Sequence, residues 1–333
     1  MAPSATHVGF FLPNRGVAVG KFSAEDHVAL ARQIDRDGDV DSLWIGDSII
    51  SKPRLEAIAI LSALAAATRR VRLGVSCMAT FVQRHPLLFA LQWASVDVIS
   101  AGRSILAVCM GYPADQTPEG ARELRAMGVQ SAERPARLVE GLTILRRLWG
   151  EEGVSHRGRF YRLDRVTLDV RPVQRPYPIF VASNPSEQRV GAAGVERALR
   201  RVARHADGWM TLLITPEEFV RRWTCIREMA REEGRPLDPR ATIVFYNLNV
   251  NSNRQAAYDE TAAFLGDYFG APHVSPEMVR LWCSWGSAEE CAAGVQRFVD
   301  AGAGTIIIRM CSWDQKGQIA KFLEEVLPRI HRV

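Results

Sequence analysis

The sequence predicts an α/β protein, specifically a (β/α)8 TIM barrel with insertions after strands 4 and 7 and before strand 5. Eight short apolar runs alternate with longer segments of helical period along the 333 residues. The runs are apolar almost throughout, as in parallel strands that helices cover on both faces. Eight successive strand-then-helix units favour a barrel over an open doubly wound sheet. Because nothing marks a second domain, residues 1–333 are predicted to form a single domain.

The eight predicted strands account for the apolar runs in chain order. They are VGFFLPN (8–14), DSLWIGD (41–47), VRLGVSCMA (71–79), RSILAVCMG (103–111), PIFVASN (178–184), GWMTLLI (208–214), TIVFYNLNV (242–250) and TIIIRMC (305–311).

The segments between these strands have helical period, and several carry start and stop signals. Ser287 followed three residues later by Glu290 predicts a capping box. Thr215 and Pro216 suit an N-cap and a first turn, and Gly302 suits a C-terminal cap. The helix candidates are AEDHVALARQIDRDG (24–38), RLEAIAILSALAAATRR (54–70), PLLFALQWASVDVIS (86–100), ERALRRVARHA (196–206), PEEFVRRWTCIREMAREEG (216–234) and SAEECAAGVQRFVDAG (287–302).

Three stretches interrupt the alternation, namely 112–133, 150–177 and 251–285. The first and third leave the C-terminal ends of strands, where a barrel builds its binding face, so we expect them to lie over the pocket. The middle stretch contains FYRLDRVTLDVRP (160–172), whose alternation predicts a small hairpin. Aromatic side chains in the third stretch fit either an aromatic enclosure for a substrate or packing of the insertion on itself.

Composition argues against nucleic acid, membrane and structural metal. The net charge of +5 is spread along the chain, and only four of the 42 basic residues are lysines, a bias that a GC-rich genome explains. The six cysteines form no CxxC pair and no Cys/His cluster with zinc spacing, which fits a reducing cytoplasm. We find neither a signal peptide nor a run of ~20 apolar residues. The sequence therefore predicts a soluble cytoplasmic protein.

The chemistry is expected at the C-terminal ends of the strands, where a barrel displays side chains to ligands. The sequence contains no HExxH, GxSxG or GxxxxGK motif and no GxGxxG after the first strand. A site poor in histidines and paired carboxylates indicates that a bound cofactor supplies the reactivity. The polar or small candidates at strand ends are Asn14, Asp47, Ser48, Ser76, Cys77, Thr80, Cys109, Ser183, Asn184, Asn247 and Asn249.

One segment after the fifth strand is a candidate binding site for a cofactor phosphate. In SNPSEQRVGAAGVERALRR, a loop of small residues precedes Gly194, which is predicted to open a helix. Free N–H groups at a helix start and the helix dipole attract phosphate. Plain turn chemistry explains the same pattern equally well.

Several stretches together resemble the bacterial-luciferase-like monooxygenase superfamily. The resemblance covers most of the chain and is carried by AATRRVRLG with the later HP and DxxSxGR spacing, by DSLWIGD, by ARHADGW and by GSAEECAAGVQRFVDAGAGTIIIR. It implies a (β/α)8 barrel that uses reduced flavin mononucleotide (FMN) or the deazaflavin coenzyme F-420. It also implies a homodimer formed through early helices, for which ALQWASVDVIS (90–100) is the matching face.

The resemblance assigns roles to residues of the third and fourth strands. A non-prolyl cis peptide that forms a bulge behind the cofactor ring falls between Ser76 and Cys77. Ala79 lies where family members contact the polar edge of the flavin, and alanine offers only its backbone there. In LAVCMGY, Cys109 matches a reactive cysteine beside the flavin, although a small core residue is an equally open reading, and Gly111 is expected at the cofactor.

The same resemblance extends to the fifth strand and the segment after it. Residues Ala182, Ser183 and Asn184 match contacts to the ring edge, and Gly194 and Val195 match contacts to the phosphate.

The sequence departs from the histidine-dependent branches of the superfamily. Ser48 stands where luciferases and deazaflavin sugar dehydrogenases have a catalytic histidine, and Tyr112 stands where those dehydrogenases have an acid. Asp47 remains, either as a buried structural carboxylate or as a ligand or catalytic group. The expected catalytic candidates are therefore Asp47, Ser48 and Cys109.

These observations lead to one main hypothesis and two alternatives. The main hypothesis is a two-component monooxygenase that uses reduced FMN and molecular oxygen to oxidise a small organic substrate, with a separate flavin reductase as partner. The first alternative is a deazaflavin-dependent oxidoreductase that transfers hydride without oxygen. The second is a non-catalytic flavin-binding protein.

Overall fold

The computed structural model describes residues 5–111, 117–270 and 274–332, so the prediction for Tyr112 lies outside the described residues. All eight predicted strands are present, with ends that lie at most three residues from the expected ones. The described strands are β1 (His7–Phe11), β2 (Ser42–Ile45), β3 (Arg72–Met78), β4 (Ser104–Val108), β5 (Val154–Arg157), β6 (Arg162–Val166), β7 (Ile179–Ala182), β8 (Gly208–Leu212), β9 (Thr242–Val250), β10 (Cys283–Gly286) and β11 (Thr305–Met310).

Helices follow the strands as the sequence predicts, and their caps explain where they start. Thr215 caps one helix with Pro216 in its first turn, and Ser287 and Glu290 form a reciprocal capping box at another. The described α-helices are α1 (Ala24–Asp37), α2 (Ala57–Ala67), α3 (Pro86–Ile99), α4 (Pro118–Ala126), α5 (Arg134–Gly150), α6 (Glu187–His205), α7 (Pro216–Glu232), α8 (Arg254–Phe269), α9 (Pro276–Trp282), α10 (Ala288–Asp300) and α11 (Gln315–Lys321).

The strand order confirms the (β/α)8 barrel. The main sheet runs β10-β9-β11-β1-β2-β3-β4-β7-β8, and β9 also pairs with β8, which closes a ring of eight strands. Strand β10 pairs in parallel with β9 outside that ring. The antiparallel pair β5–β6 forms a separate sheet and confirms the hairpin predicted before the fifth barrel strand.

The chain groups into two compact units. The first comprises Met1–Pro13, Gln33–Trp44 and Phe180–Val333, and the second comprises Asn14–Arg32 and Ile45–Ile179. Stacked Trp209 and Phe219 lie in the core of the first unit. In the second unit, Trp93 is fully buried and donates a hydrogen bond to the Tyr177 hydroxyl. That the whole chain is a single domain stays a prediction.

Two local features differ from the sequence-based expectation. Strand β10 was not predicted, because CSWG is only four residues long and its pairing partner on β9 lies far along the chain. Helix α6 begins at Glu187, nine residues before its predicted start, and is broken at Gly191, whose φ is 66°. Glycine tolerates this left-handed conformation without a Cβ penalty. Within the described ranges, no helix is both long and apolar enough to cross a membrane.

Candidate active site at the strand ends

Asp47 lies two residues beyond β2 in the second unit and is buried. Its Oδ2 accepts hydrogen bonds from the backbone N–H and the hydroxyl of Thr80, both at 2.7 Å. The Arg84 guanidinium lies 3.5 Å from Oδ1 and also bonds Glu56. Burial raises the pKa of the Asp47 carboxyl, and Arg84 and the two Thr80 donors oppose that shift. Asp47 therefore ties the end of β2 to the turn after β3.

Ser48 and the loop that follows it surround the carboxylate of Glu123, which lies on α4. Glu123 Oε2 accepts from the backbone N–H groups of Ile49, Ile50 and Ser51 at 3.1, 2.6 and 2.8 Å. The Ser48 hydroxyl lies 3.3 Å from the same oxygen and 2.7 Å from the Ser51 hydroxyl. Ser48 is thus engaged by its own loop and by Glu123.

Sequence reasoning did not single out Glu123. The start of its helix is readable from Thr117, which caps α4, and from Pro118 in the first turn. The loop N–H groups that bond its carboxylate lie more than 70 positions away in sequence, and Gln83 lies 40 positions away, so no local pattern identifies these partners. Burial favours the protonated form of Glu123, but the Ser51 and Ile50 N–H groups and the Gln83 amide hold the pKa of its carboxyl below the ordinary value.

The end of β3 carries the non-prolyl cis peptide that the resemblance implies, between Ser76 and Cys77. The register between β3 and β4 shifts at this point, between Val75 and Met78, which is the expected bulge. Both residues of the cis bond are partly exposed. The Ser76 hydroxyl oxygen is buried and has no hydrogen-bond partner within the described part of the chain.

Cys109 lies just after β4, next to this bulge. Its backbone N–H donates to the Met78 carbonyl at 3.3 Å, and its Sγ accepts from the Gly111 N–H at 3.4 Å. The neighbouring Cys109 thiol and burial hold the pKa of Cys77 well above its ordinary value, so Cys77 is a neutral thiol near pH 7. The structure brings Ser76, Cys77 and Cys109 together.

Gly111 and Ala79 approach each other closely at the same edge of the second unit. Gly111 has a φ of 74°, and a Cβ at this position would lie 2.6 Å from the Ala79 carbonyl oxygen. Only glycine fits both the left-handed backbone and this contact. The Ala79 carbonyl oxygen faces Gly111 here, and its contact with a flavin stays a prediction.

In the first unit, the end of β7 is held by hydrogen bonds to β8 and α7. The Asn184 amide donates to the Leu212 carbonyl at 2.5 Å and accepts from Arg222 at 2.9 Å. The Ser183 carbonyl accepts from the Trp209 indole at 2.8 Å. Ala182 and Ser183 are partly exposed and Asn184 is exposed, so these residues offer contacts along an open strand end.

The helix start predicted at Gly194 is wrong in position. Gly194 and Val195 lie inside α6, three and four residues beyond the break at Gly191. A Cβ on Gly194 would lie 2.6 Å from the Val190 Cβ, so this glycine permits close packing across the break. That Gly194 and Val195 contact a phosphate stays a prediction.

A comparison with known protein families identifies the family of this chain. The sequence profile described as luciferase-like monooxygenase matches residues 6–305. The chain belongs to this family.

The luciferase-like chain has relatives with both types of named activity. It is 26% identical over 325 residues to a protein named F420-dependent glucose-6-phosphate dehydrogenase from Kineococcus radiotolerans, over 90% of each chain. It is 26% identical to the crystal structure of monooxygenase RslO1 from Streptomyces bottropensis, with a TM-score of 0.77 over 97% of this chain and 99% of that one. An F420-dependent secondary alcohol dehydrogenase in complex with an F420-acetone adduct shares the fold, with a TM-score of 0.82, 19% identity and coverage of 98% and 100%. The protein is a luciferase-like oxidoreductase.

Proposed function

We propose that this luciferase-like oxidoreductase is the oxygenating component of a two-component monooxygenase. In this proposal it binds reduced FMN and uses molecular oxygen to oxidise a small organic substrate, and a separate flavin reductase supplies the reduced cofactor. The main support for this proposal is that the candidate proton-transfer groups at the end of β2 already form hydrogen bonds or ion pairs within the protein. Asp47 is bonded to Thr80 and Arg84, and Ser48 to Glu123 and its own loop. Chemistry that requires no strong protein base fits this arrangement best.

The residues at the end of β3 and β4 fit a flavin ring. The buried, unpartnered Ser76 hydroxyl supplies a donor or acceptor, and the Cys77 and Cys109 side chains supply a small, weakly polar surface. Gly111 has no side chain, so the backbone of Ala79 can lie close to it. When bound, the reduced flavin supplies the electrons that activate oxygen.

The chain itself would bind the flavin, orient the substrate and exclude water from the site. We propose that the Asp47–Thr80–Arg84 network fixes the turn after β3, so that Ala79 presents its backbone at a constant position. In the first unit, the proposed ring-edge contacts are Ala182, Ser183 and Asn184. The proposed phosphate contacts are the N–H groups in the first turn after the α6 break, which includes Gly194 and Val195.

A deazaflavin-dependent oxidoreductase is the second candidate function. It is favoured by relatives named F420-dependent glucose-6-phosphate dehydrogenase, two of which match 81% and 90% of this chain. It is opposed by Ser48, because the resemblance places a catalytic histidine at this position in those dehydrogenases.

The absorbance spectrum and the mass of the cofactor retained by the purified protein separate the two candidates. We expect FMN, or after reconstitution an affinity for reduced FMN that exceeds the affinity for coenzyme F-420. Tight binding of coenzyme F-420 without affinity for FMN would contradict the main proposal. A protein that binds FMN but consumes no oxygen with a reductase and a broad substrate panel would instead be a flavin-binding protein.

The proposal includes a cytoplasmic homodimer. The six cysteines are all free, as expected in a reducing compartment. The face for the dimer is taken to be α3, whose outward residues are apolar.

A further inference from the structure

Arg309 is a buried cation with a free hydrogen-bond donor. It occupies the second-last position of β11, and its residue surface is 1% exposed. Its Nε donates to Asn247 Oδ1 at 2.8 Å, from the position directly opposite on β9. Its Nη2 is buried and has no hydrogen-bond partner among the residues that the structure describes. Nε is thus fixed by Asn247, while Nη2 is unpaired among the described residues.

Aromatic rings surround this guanidinium in the first unit. Six rings, which we call the aromatic box, lie with their centroids between 4.5 and 5.9 Å from Cζ. Strands β1 and β9 and helices α8 and α9 supply them. The members are Phe11, Phe245, Phe264, Tyr268, Phe269 and Trp282.

No carboxylate of the described residues neutralises the charge inside the aromatic box. Among the described residues, none of the ion pairs includes Arg309. Two acidic side chains of α8 have other partners, since Glu260 accepts from Asn249 and Asp267 from Trp313. A guanidinium stays protonated even when buried. Cation–π attraction offsets its desolvation only in part.

A buried cation that lacks a counter-ion is a functional candidate when it lies at the C-terminal end of a barrel strand, where this fold binds ligands. We infer that Arg309 is the specificity residue for the carboxylate of an aromatic substrate. This inference rests on the proposed function and names the substrate class of that same site. The carboxylate would pair with the free Nη2, and the ring of the substrate would contact the aromatic box.

The chemistry of the aromatic box selects this class over sugar phosphates. A phosphate dianion is strongly hydrated, and six aromatic faces cannot replace its water. An aromatic carboxylate needs only one charge-assisted contact and gains from ring contacts. Because Nη2 is buried, the proposed ligand reaches it only if side chains of the aromatic box move.

Calorimetric titration of the full chain, with and without FMN, tests the inference. We use benzoate, its neutral analogue benzamide, and glucose 6-phosphate as probes. We expect the wild type to bind benzoate about tenfold more tightly than either of the others, since loss of one charged contact changes affinity by about that factor. Arg309→Gln should abolish the preference for benzoate over benzamide. Arg309→Lys should keep part of it, because lysine retains the charge without the planar fork.

Arg221→Gln is the matched control, since Arg221 is an exposed arginine of α7 in the same unit. It should leave benzoate affinity unchanged. Equal affinity of the wild type for benzoate and benzamide, absence of binding of both, or an unchanged preference in Arg309→Gln would overturn the inference. If Arg309→Gln does not fold, the wild-type and Arg309→Lys titrations decide. Titrations with FMN distinguish this inference from the proposed function. Normal FMN binding without a preference for benzoate refutes only this inference. A preference for benzoate without affinity for FMN refutes only the proposed function.

Discussion

At the scale of single residues, Asp47 joins two strand ends by accepting several hydrogen bonds at once. Its carboxylate is the acceptor for the Thr80 N–H and hydroxyl and lies beside Arg84, which is itself mostly buried. A side chain with these partners fixes the positions of the two strand ends. Its loss leaves buried donors without an acceptor.

Asp47→Ala should lower the free energy of unfolding by about 2–4 kcal/mol, because the buried Thr80 N–H loses its acceptor and the Arg84 guanidinium keeps only one of its two carboxylate partners, Glu56. Asp47→Asn should cost less, since its amide oxygen still accepts from the Thr80 N–H. Urea denaturation measures both. Ser48→Ala is the neighbouring control and should change stability by less than about 1 kcal/mol. Wild-type stability of Asp47→Ala would show that this network does not stabilise the strand ends.

Cys109 gives a second residue-scale prediction. If the flavin ring lies against the ends of β3 and β4, FMN should slow alkylation of Cys109 by iodoacetamide, because the ring covers the thiol. Peptide mass spectrometry measures the labelled fraction. Cys225, a partly exposed cysteine on α7, should be labelled at the same rate with and without FMN. Equal rates at Cys109 would place the ring elsewhere.

At the scale of elements, α4 is attached to the loop after β2 through the carboxylate of Glu123. Three backbone N–H groups of that loop point at one oxygen. This contact holds α4, the only described α-helix between β4 and α5, against the end of β2. The attachment of α4 to this loop therefore depends on the ionised Glu123 carboxylate.

Stability should depend on pH through Glu123. The pKa of its carboxyl in the folded protein lies below the ordinary value of 4.5, so its contribution is complete above about pH 4.5 and is lost as the pH falls through the folded pKa. Glu123→Gln should lower the free energy of unfolding by about 2 kcal/mol at pH 7. The difference from wild type should shrink at pH 4. Glu119→Gln, an exposed change on the same helix, should show less than half of this effect, and a pH-independent difference for Glu123→Gln would contradict the argument.

Helix α3 presents an apolar face that the dimer proposal uses. Leu88, Leu91, Val98 and Ile99 are 56, 38, 48 and 48% exposed. Leu88→Glu should shift the protein from dimer to monomer in sedimentation experiments, because a charge in an apolar interface loses its hydration. Val220→Glu, at a residue of α7 that is 44% exposed, should leave the association unchanged. A wild type that is monomeric at micromolar concentration would refute the proposed interface.

The same scale shows which elements a sequence can predict. Long apolar runs and capped helices were placed correctly, because their signals lie within each segment: the capping box of Ser287 and Glu290 is one example. The start of α6 was misplaced because residues 187–190, before the break at Gly191, are all exposed, so this turn has no buried apolar face that a periodic pattern could reveal. Strand β10 was missed because pairing with β9, and not its own four residues, makes it a strand.

At the scale of the whole molecule, a ligand that binds only the folded chain stabilises it by mass action. FMN at one hundred times its dissociation constant should raise the free energy of unfolding by about 2.7 kcal/mol. Thermal unfolding with matched concentrations of FMN and coenzyme F-420 measures this. A rise with coenzyme F-420 alone would favour the deazaflavin-dependent alternative.

The sequence by itself determined the fold class, the family resemblance and the strand ends at which Asp47, Ser76 and Cys109 are found, because period and local motifs act over a few residues. Only the tertiary structure decided what those side chains contact. Glu123 reaches a loop more than 70 residues away, and Arg309 meets rings from β1, β9, α8 and α9. Such contacts depend on which strands become neighbours, and parallel neighbours are joined only through long crossover connections.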